Sequence, residues 1–346
     1  MAAQELKASK NVWVFAEQKD GQLAGVVYEL LGPGRRLAVK LNGRLAAVLF
    51  GSDVAAPAEE LLSLGVDVVY KVDAPSLAHY NSWLYPRLLE KLVRDEPVPP
   101  HSLLIGATYA GMDLAPAAAA RLGAGCSAHC VRLDLDEQGN LLQGVPGFGG
   151  AVLATVVSPF TRPQIATVKP GVFAAPDFAP AAPSEAPCKG EINEVAFPFP
   201  GTAPVKVIAV KKEEFTGVPL EKAAAVVAGG AGVGSREGWA KIEELAALLG
   251  AAVGATRPAV DAGWAKEAQM IGQSGKTVRP RLYIGIGISG DIQHTVGIQD
   301  ADKIVAINAN PKAPIFKMAD YGLAADYQEI VPLLCAAVAQ VKNIKK

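Results

Sequence analysis

Residues Leu282 to His294 read LYIGIGISGDIQH. The first five form a short, apolar, β-rich run. Gly285 inside that run, with Gly287 and Gly290 after it, has the spacing GxGxxG. A strand that enters such a turn and leaves it as a helix is the phosphate-binding corner of a parallel α/β fold. Its glycines let the backbone come close to a pyrophosphate, and the free amides of the turn receive it. A tight strand–helix turn without a ligand is the competing reading. A dinucleotide fold would place an acid about 20 residues further on, at the end of the next strand. That strand, Lys303–Ile307, runs into Asn308 instead, so the match to an NAD site is incomplete.

The α/β rhythm extends in both directions. Ala223–Ala228 reads as a buried strand running into the glycine loop Gly229–Gly234. Ser235 follows as an N-cap, Arg236 could reach a phosphate, and Arg236–Leu249 is an amphipathic helix. Tyr327–Lys342 closes the chain as a helix that tolerates Pro332 only near its first turn. Upstream, strand patterns at Asn11–Phe15, Leu45–Phe50, Val66–Val72 and Ser102–Ile105 alternate with helix patterns. These are Leu23–Leu41, Pro57–Leu64, Tyr80–Arg94 and Met112–Leu122. Gly32-Pro33-Gly34 should break or kink the first of the helices. Alternation of this kind implies right-handed βαβ units and a parallel sheet. From Cys130 to Val210 the segments are shorter and β-branched. They include a hairpin turn over Asp134–Asn140, an Ala/Pro-rich extended connection over Ala174–Pro187 and a strand over Pro204–Val210.

The fold expected is therefore α/β with two domains. The first, 1–210, is a parallel-sheet domain with a β-rich extension. The second, 211–346, is a Rossmann-like domain joined by a mobile linker at about 211–220.

Composition narrows the function. The 346 residues are 50% hydrophobic, and 33 Lys and Arg balance 34 Asp and Glu to a net charge of -1. A nucleic-acid binder would carry a basic surplus. The longest charge-free stretch, Gln138–Thr161, holds five glycines and two prolines, so it reads as strands and loops rather than a membrane helix. The charged start (Glu5, Lys7, Lys10) does not read as a secretory signal. The four cysteines form no disulfide framework, which points to a reducing cytoplasm. Cys126-Ser-Ala-His129-Cys130 offers metal-ligand types but no second cluster to complete a site, so no metal is expected. Gly272–Thr277 ends like a P-loop, but Met270 stands where the first glycine belongs. No Ser/His/Asp arrangement is visible. His294 lies in the same short segment as the glycine turn, which sets it apart from the other histidines.

At this point the residues resemble a family. Leu282–His294, with Ile271-Gly-Gln-Ser-Gly-Lys276 before it and Ile304-Val-Ala-Ile-Asn308 after it, is similar to the signature of the electron-transfer flavoprotein α subunit. Pro314-Ile-Phe316, Ala319–Asp326 and Gly254–Gly263 continue the likeness in order. Val14-Phe-Ala-Glu17 and Leu103–Thr108 extend it more weakly into the first domain.

The resemblance implies FAD in the second domain and a heterodimer with a β subunit that holds AMP or a second FAD. It implies electron exchange with an acyl-CoA dehydrogenase-type or quinone-linked flavoenzyme. Such a chain is an electron carrier subunit rather than a stand-alone enzyme. The run Val12–Ala38 is more similar to versions from anaerobes, some of which bifurcate electrons from NADH.

Roles follow by position. Arg257 should lie over the flavin near N5 with Thr256 beside it. Ser274 should bond near N5, while Ile271, Gly272, Gln273 and Gly275 hold the ring and ribityl chain. Ser289 and Gly290 should meet the pyrophosphate, with Ser235 and Arg236 near the phosphates. Ile292 and Gln293 should run along the ribityl region. His294 should face the C2 carbonyl, and Asn308 and Asp326 should hold the adenosine end. A positive or donating His294 and the Arg257 cation would both stabilise negative charge on the reduced ring.

Three positions depart from the family pattern. Ala231 replaces an arginine, whose charge Arg236 is expected to supply. Asp291 replaces alanine and is expected to turn away from the pyrophosphate. Asn310 replaces an aspartate. On the residues alone two other readings stay open, a free-standing NAD- or FAD-dependent oxidoreductase and a nucleotide-binding module without redox chemistry.

Overall fold

The computed structural model describes residues 9–147, 152–174, 190–197, 203–211 and 218–344. The chain divides into two compact units, Met1–Val210 and Lys211–Lys346. Most of the Ala174–Pro187 connection, and 212–217 of the expected linker, lie outside the described residues.

In the first unit the early elements are β1 (Val12–Phe15), the small hairpin β2 (Gln18–Lys19) and β3 (Gln22–Leu23), α1 (Gly25–Leu41), β4 (Leu45–Gly51), α2 (Ala55–Ser63) and β5 (Val68–Asp73). Next come α3 (Leu84–Asp95), β6 (Ser102–Gly106), α4 (Tyr109–Leu122), β7 (Cys126–Cys130), β8 (Arg132–Leu135), β9 (Leu141–Gly147), β10 (Val152–Val156), β11 (Gln164–Val168) and β12 (Glu191–Glu194). Seven strands form a parallel sheet in the order β12-β5-β4-β1-β6-β11-β7. Its central strands are apolar on both faces, as a sheet covered on both sides requires. A separate antiparallel sheet, β10-β9-β8, contains the hairpin expected at Asp134–Asn140, with Gly139 at φ 78° in its turn.

Three expectations need correction here. First, α1 runs unbroken through Pro33, because Leu30, Leu31, Pro33 and Leu37 are all buried on its sheet-facing side. Burial of that stripe offsets the one hydrogen bond a proline removes. Second, α3 begins at Leu84 rather than Tyr80. Asn81 sets this start, since its Oδ1 accepts from the Trp83 and Leu84 N–H groups. Its Nδ2 also donates to the Val205 carbonyl at 3.0 Å. We expect Asn81→Ala to destabilise the protein by about 1–2 kcal/mol in chemical denaturation. An unchanged midpoint would show that the cap contributes nothing. Third, 204–210 forms no strand, and Val205, Val207, Ile208 and Val210 are exposed, with no strand paired to them among the described residues.

The second unit contains β13 (Ala225–Gly229), α5 (Arg236–Leu249), β14 (Ala252–Ala255), α6 (Arg257–Asp261), β15 (Leu282–Ile286), α7 (Ile292–Thr295), β16 (Ile304–Ile307), β17 (Tyr321–Leu323) and α8 (Tyr327–Ile344). Its sheet is fully parallel, in the order β14-β13-β15-β16-β17. Counted within the unit this is 2-1-3-4-5, a doubly wound order whose direction reverses between β13 and β15. Ligands of such sheets bind outside the carboxyl ends of those two strands. α8 continues through Pro332 at its sixth residue, further in than expected. α7 is a single turn, so it adds little helix dipole behind the glycine turn.

Candidate functional site

The loops that leave β13 and β15 meet at the switch point. Gly230 N–H donates to the Ile286 carbonyl at 2.9 Å, and Gly232 N–H donates to the Gly287 carbonyl at 2.9 Å. A Cβ on Gly230 would stand 2.4 Å from the Gly287 oxygen, and Gly287 itself has φ +62°. These glycines therefore interlock two protein loops. Gly232 and Gly287 also line the cavity beside this corner. Tyr327 on α8 braces the same loop, its hydroxyl donating to the Val233 carbonyl at 2.7 Å.

A cavity of about 490 Å³ opens beside this corner. It gathers Thr256, Arg257, Ile271, Gly272, Gln273, Ser274, Gly275, Ser289, Gln293, His294 and Asn308 from the expected set. It also includes residues the expectation left out of that set: Ala231, Gly232, Pro258, Met270, Gly287, Ile288, Asp291, Asn310, Ala313 and Pro314. Some of these were within reach of the sequence, being neighbours of the glycine loops or of Arg257. Ala313 and Pro314 carried no chemical signal of their own.

Five expected residues lie outside the lining. Ser235 is the N-cap of α5, its Oγ accepting from the Gly238 N–H at 3.1 Å. Arg236 turns the other way. Its guanidinium donates to the Trp264 carbonyl, sits 3.9 Å from Glu243 and borders a different cavity with Trp264 and Lys266. It therefore does not supply the charge absent at Ala231, because the first turn of α5 carries it to the far side of the loop. Gly290 packs against the Ile315 backbone, and Ile292 is exposed. Asp326 accepts from the Gln328 N–H at the start of α8.

Asp291 does not turn away as expected. It lines the cavity, and its Oδ2 accepts from the Ser289 hydroxyl at 2.9 Å. Asn308 ties two walls together, donating to the Ile288 carbonyl at 2.8 Å and accepting from the Asn310 N–H at 2.9 Å. His294 is buried, with one ring nitrogen on the Tyr283 hydroxyl and the other on the Ile271 carbonyl. Burial lowers its pKa to about 4, with the Ile271 bond pulling weakly the other way. It is thus neutral at pH 7 and both nitrogens are engaged, so the positive or free-donor histidine expected from sequence is not what the fold presents. Arg257 opens α6 and is largely exposed, 3.5 Å from Asp261 one turn on.

Thr256 is the informative side chain. It is 6% exposed, lines the cavity and its Oγ1 has no hydrogen-bond partner. A buried hydroxyl left unpaired costs stability, so the site calls for an acceptor or donor from a bound group. The Ile288 and Ser289 N–H groups donate to no backbone carbonyl among the described residues, which leaves amides at the turn for an anion. A phosphate-bearing dinucleotide with a flat ring suits this set of groups. Elsewhere Cys130 is buried while Cys126 and His129 are exposed. No group of three metal-ligating side chains gathers among the described residues.

Comparison with known proteins decides between the remaining readings. An electron transfer flavoprotein domain model matches residues 12–200, and an electron transfer flavoprotein FAD-binding domain model matches 219–299. The chain belongs to the electron transfer flavoprotein α-subunit family. It is 43% identical to the electron transfer flavoprotein subunit alpha of Thermoanaerobacterium thermosaccharolyticum, over 97% of this chain and 99% of that one. It is 38% identical to a subunit of the NAD(+),ferredoxin lactate dehydrogenase of Acetobacterium woodii, over 97% and 78%. It is 36% identical to the acryloyl-CoA reductase electron transfer subunit beta of Anaerotignum propionicum, over 98% and 98%.

As a member of this family the chain binds FAD, its second unit is the FAD-binding domain, and its partner is a β subunit. The cavity at the switch point of that unit fits the cofactor through the unpaired Thr256 hydroxyl and the free amides of the turn. No helix among the described residues is long and apolar enough to cross a membrane.

Proposed function

We propose that this chain works in the cytoplasm as the FAD-holding half of a heterodimer that relays electrons. On one side stand the β subunit with NADH or a dehydrogenase, and on the other an acyl-CoA dehydrogenase-type or quinone-linked flavoenzyme. The observation that carries the reading is the cavity at the β13–β15 switch point with its unpaired, buried Thr256 hydroxyl.

Bound FAD supplies the one- and two-electron chemistry. The chain's own residues hold and tune it. Gln273, Ser274 and Gln293 line the wall that the ring and ribityl chain would face. Ser289 and the Ile288 and Ser289 amides sit where a diphosphate would lie. Arg257 provides a cation at the cavity rim that favours negative charge on a reduced ring. Asn308 fixes the spacing of the adenosine-end loops.

The first unit's surface supports a β-subunit contact. β10 is an edge strand that exposes Val152, Leu153 and Val156, and an apolar edge of this kind is a pairing surface. A second reading, in which the complex bifurcates electrons, draws support from the relative named for both NAD(+) and ferredoxin.

An absorbance spectrum of the chain co-expressed with its β subunit tests both. One FAD per heterodimer with no bleaching by NADH is the result expected of a simple relay. Two FADs with rapid bleaching would favour the bifurcating form. No flavin after reconstitution would overturn the function.

A further inference from the structure

Tyr283, the second residue of β15, is completely buried. A tyrosine hydroxyl in a dry interior needs a partner. Its partner is His294 Nε2 at 2.7 Å. The other ring nitrogen, Nδ1, lies 3.0 Å from the Ile271 carbonyl. A carbonyl can only accept, so Nδ1 carries the hydrogen. Nε2 of the neutral ring is then bare and accepts from the Tyr283 O–H. The result is a directed chain from Tyr283 through His294 to Ile271. It joins the central sheet, the start of α7 after the glycine turn and the 271–276 wall of the cavity.

We propose that Tyr283 is a positioning residue of the flavin site: its hydroxyl locks His294 as the neutral Nδ1–H tautomer and so withholds both a charge and a ring donor from the cavity. The proposal rests on the FAD reading above, but the lock itself belongs to the protein alone. Protonating Nε2 would turn it into a donor and leave the tyrosine hydrogen without an acceptor. The lock therefore adds to burial in keeping the ring neutral. The charged side chains that line the cavity with His294 are Arg257 on α6 and Asp291 on the turn, and neither contributes to holding the histidine down.

A tyrosine placed only to fill space would do as well as phenylalanine. The distinction is tested with Tyr283→Phe, which keeps the ring and removes the hydroxyl. The complex with the β subunit would be labelled with ¹⁵N-histidine, and the His294 signals assigned by comparison with His294→Gln. The wild-type protein is expected to show a bare Nε2 at pH 7. In the variant the titration of His294 should move up by roughly one pH unit, the worth of one hydrogen bond to the neutral ring. The flavin midpoint potential of the variant should become more positive than that of wild type, by a margin that grows as the pH falls.

A protonated Nε2 at pH 7 in the wild type would overturn the proposal without reference to any variant. So would identical histidine spectra in the two proteins. If neither protein held FAD, the flavin reading would fall, while the nitrogen spectra would still decide the lock.

Discussion

Gly290→Ala is expected to empty the flavin site. Gly290 has φ +92°, a conformation that costs any other residue dearly, and a Cβ there would lie 2.2 Å from the Ile315 nitrogen. The collision is with backbone, so no side-chain rotation relieves it. The Ile315 N–H also donates to the Ser289 carbonyl at 3.0 Å, and that bond holds the turn against the following loop. Strain and overlap together should cost about 3 kcal/mol or more. The turn would open where Ser289 lines the cavity. We expect the variant complex to lose most of its flavin on gel filtration, since about 3 kcal/mol taken from binding weakens affinity by about a hundredfold. Denaturant unfolding should show the stability loss in the same preparation. Full flavin content with an unchanged midpoint would show that the turn has slack the geometry does not suggest.

Arg257→Ala is expected to lower the flavin potential. Arg257 sits at the rim of the cavity, and its nearby acid, Asp261, is exposed and 3.5 Å away, so it is only lightly held. Beside a reduced ring with negative charge it would find a better partner, in a place from which the ring excludes water. His294 is neutral and fully bonded, so Arg257 has no cationic ally among the lining side chains, and Asp291 opposes it. Loss of the cation should cost the reduced form about 1–2 kcal/mol, or roughly 40–90 mV for a one-electron change. Redox titration of the purified complex measures this. A potential equal to that of wild type would remove Arg257 from the tuning of the ring.

The fold was legible wherever burial enforced one pattern. Leu45–Phe50, Leu282–Ile286 and Arg236–Leu249 needed only apolar period and flanking turns. The sequence reading went astray where one long-range contact overrode a local rule. Pro33 looked like a breaker because its buried stripe is visible only with the sheet in place. The start of α3 depends on an asparagine that also reaches Val205, far along the chain. Short edge elements such as β14 and β17 hold too few residues to show a period.

At the site, the residues that touch the cavity were found where the glycine turn and the 271–276 loop spelled them out. The direction of a side chain was not legible. Arg236 and Asp291 were both assigned by charge, and the backbone sent one out and the other in. His294 was found by position, but its electrical state depends on Tyr283, which reads in sequence as one more core residue.

The interlocked loops of β13 and β15 bear on how the coenzyme enters and leaves. The two loops are bonded to each other and the one after β13 is braced by Tyr327, so this side of the site is a fixed jaw. The opposite side, 271–276, is attached at its inner edge by the Gln273–Gln293 backbone bond and by His294. Loading and loss of flavin would then be governed by that second jaw. Exchange rates should respond to changes at Gln273 or Tyr283 far more than to conservative changes in the α8 brace, which places the control of coenzyme residence in the same few side chains that set its electronic surroundings.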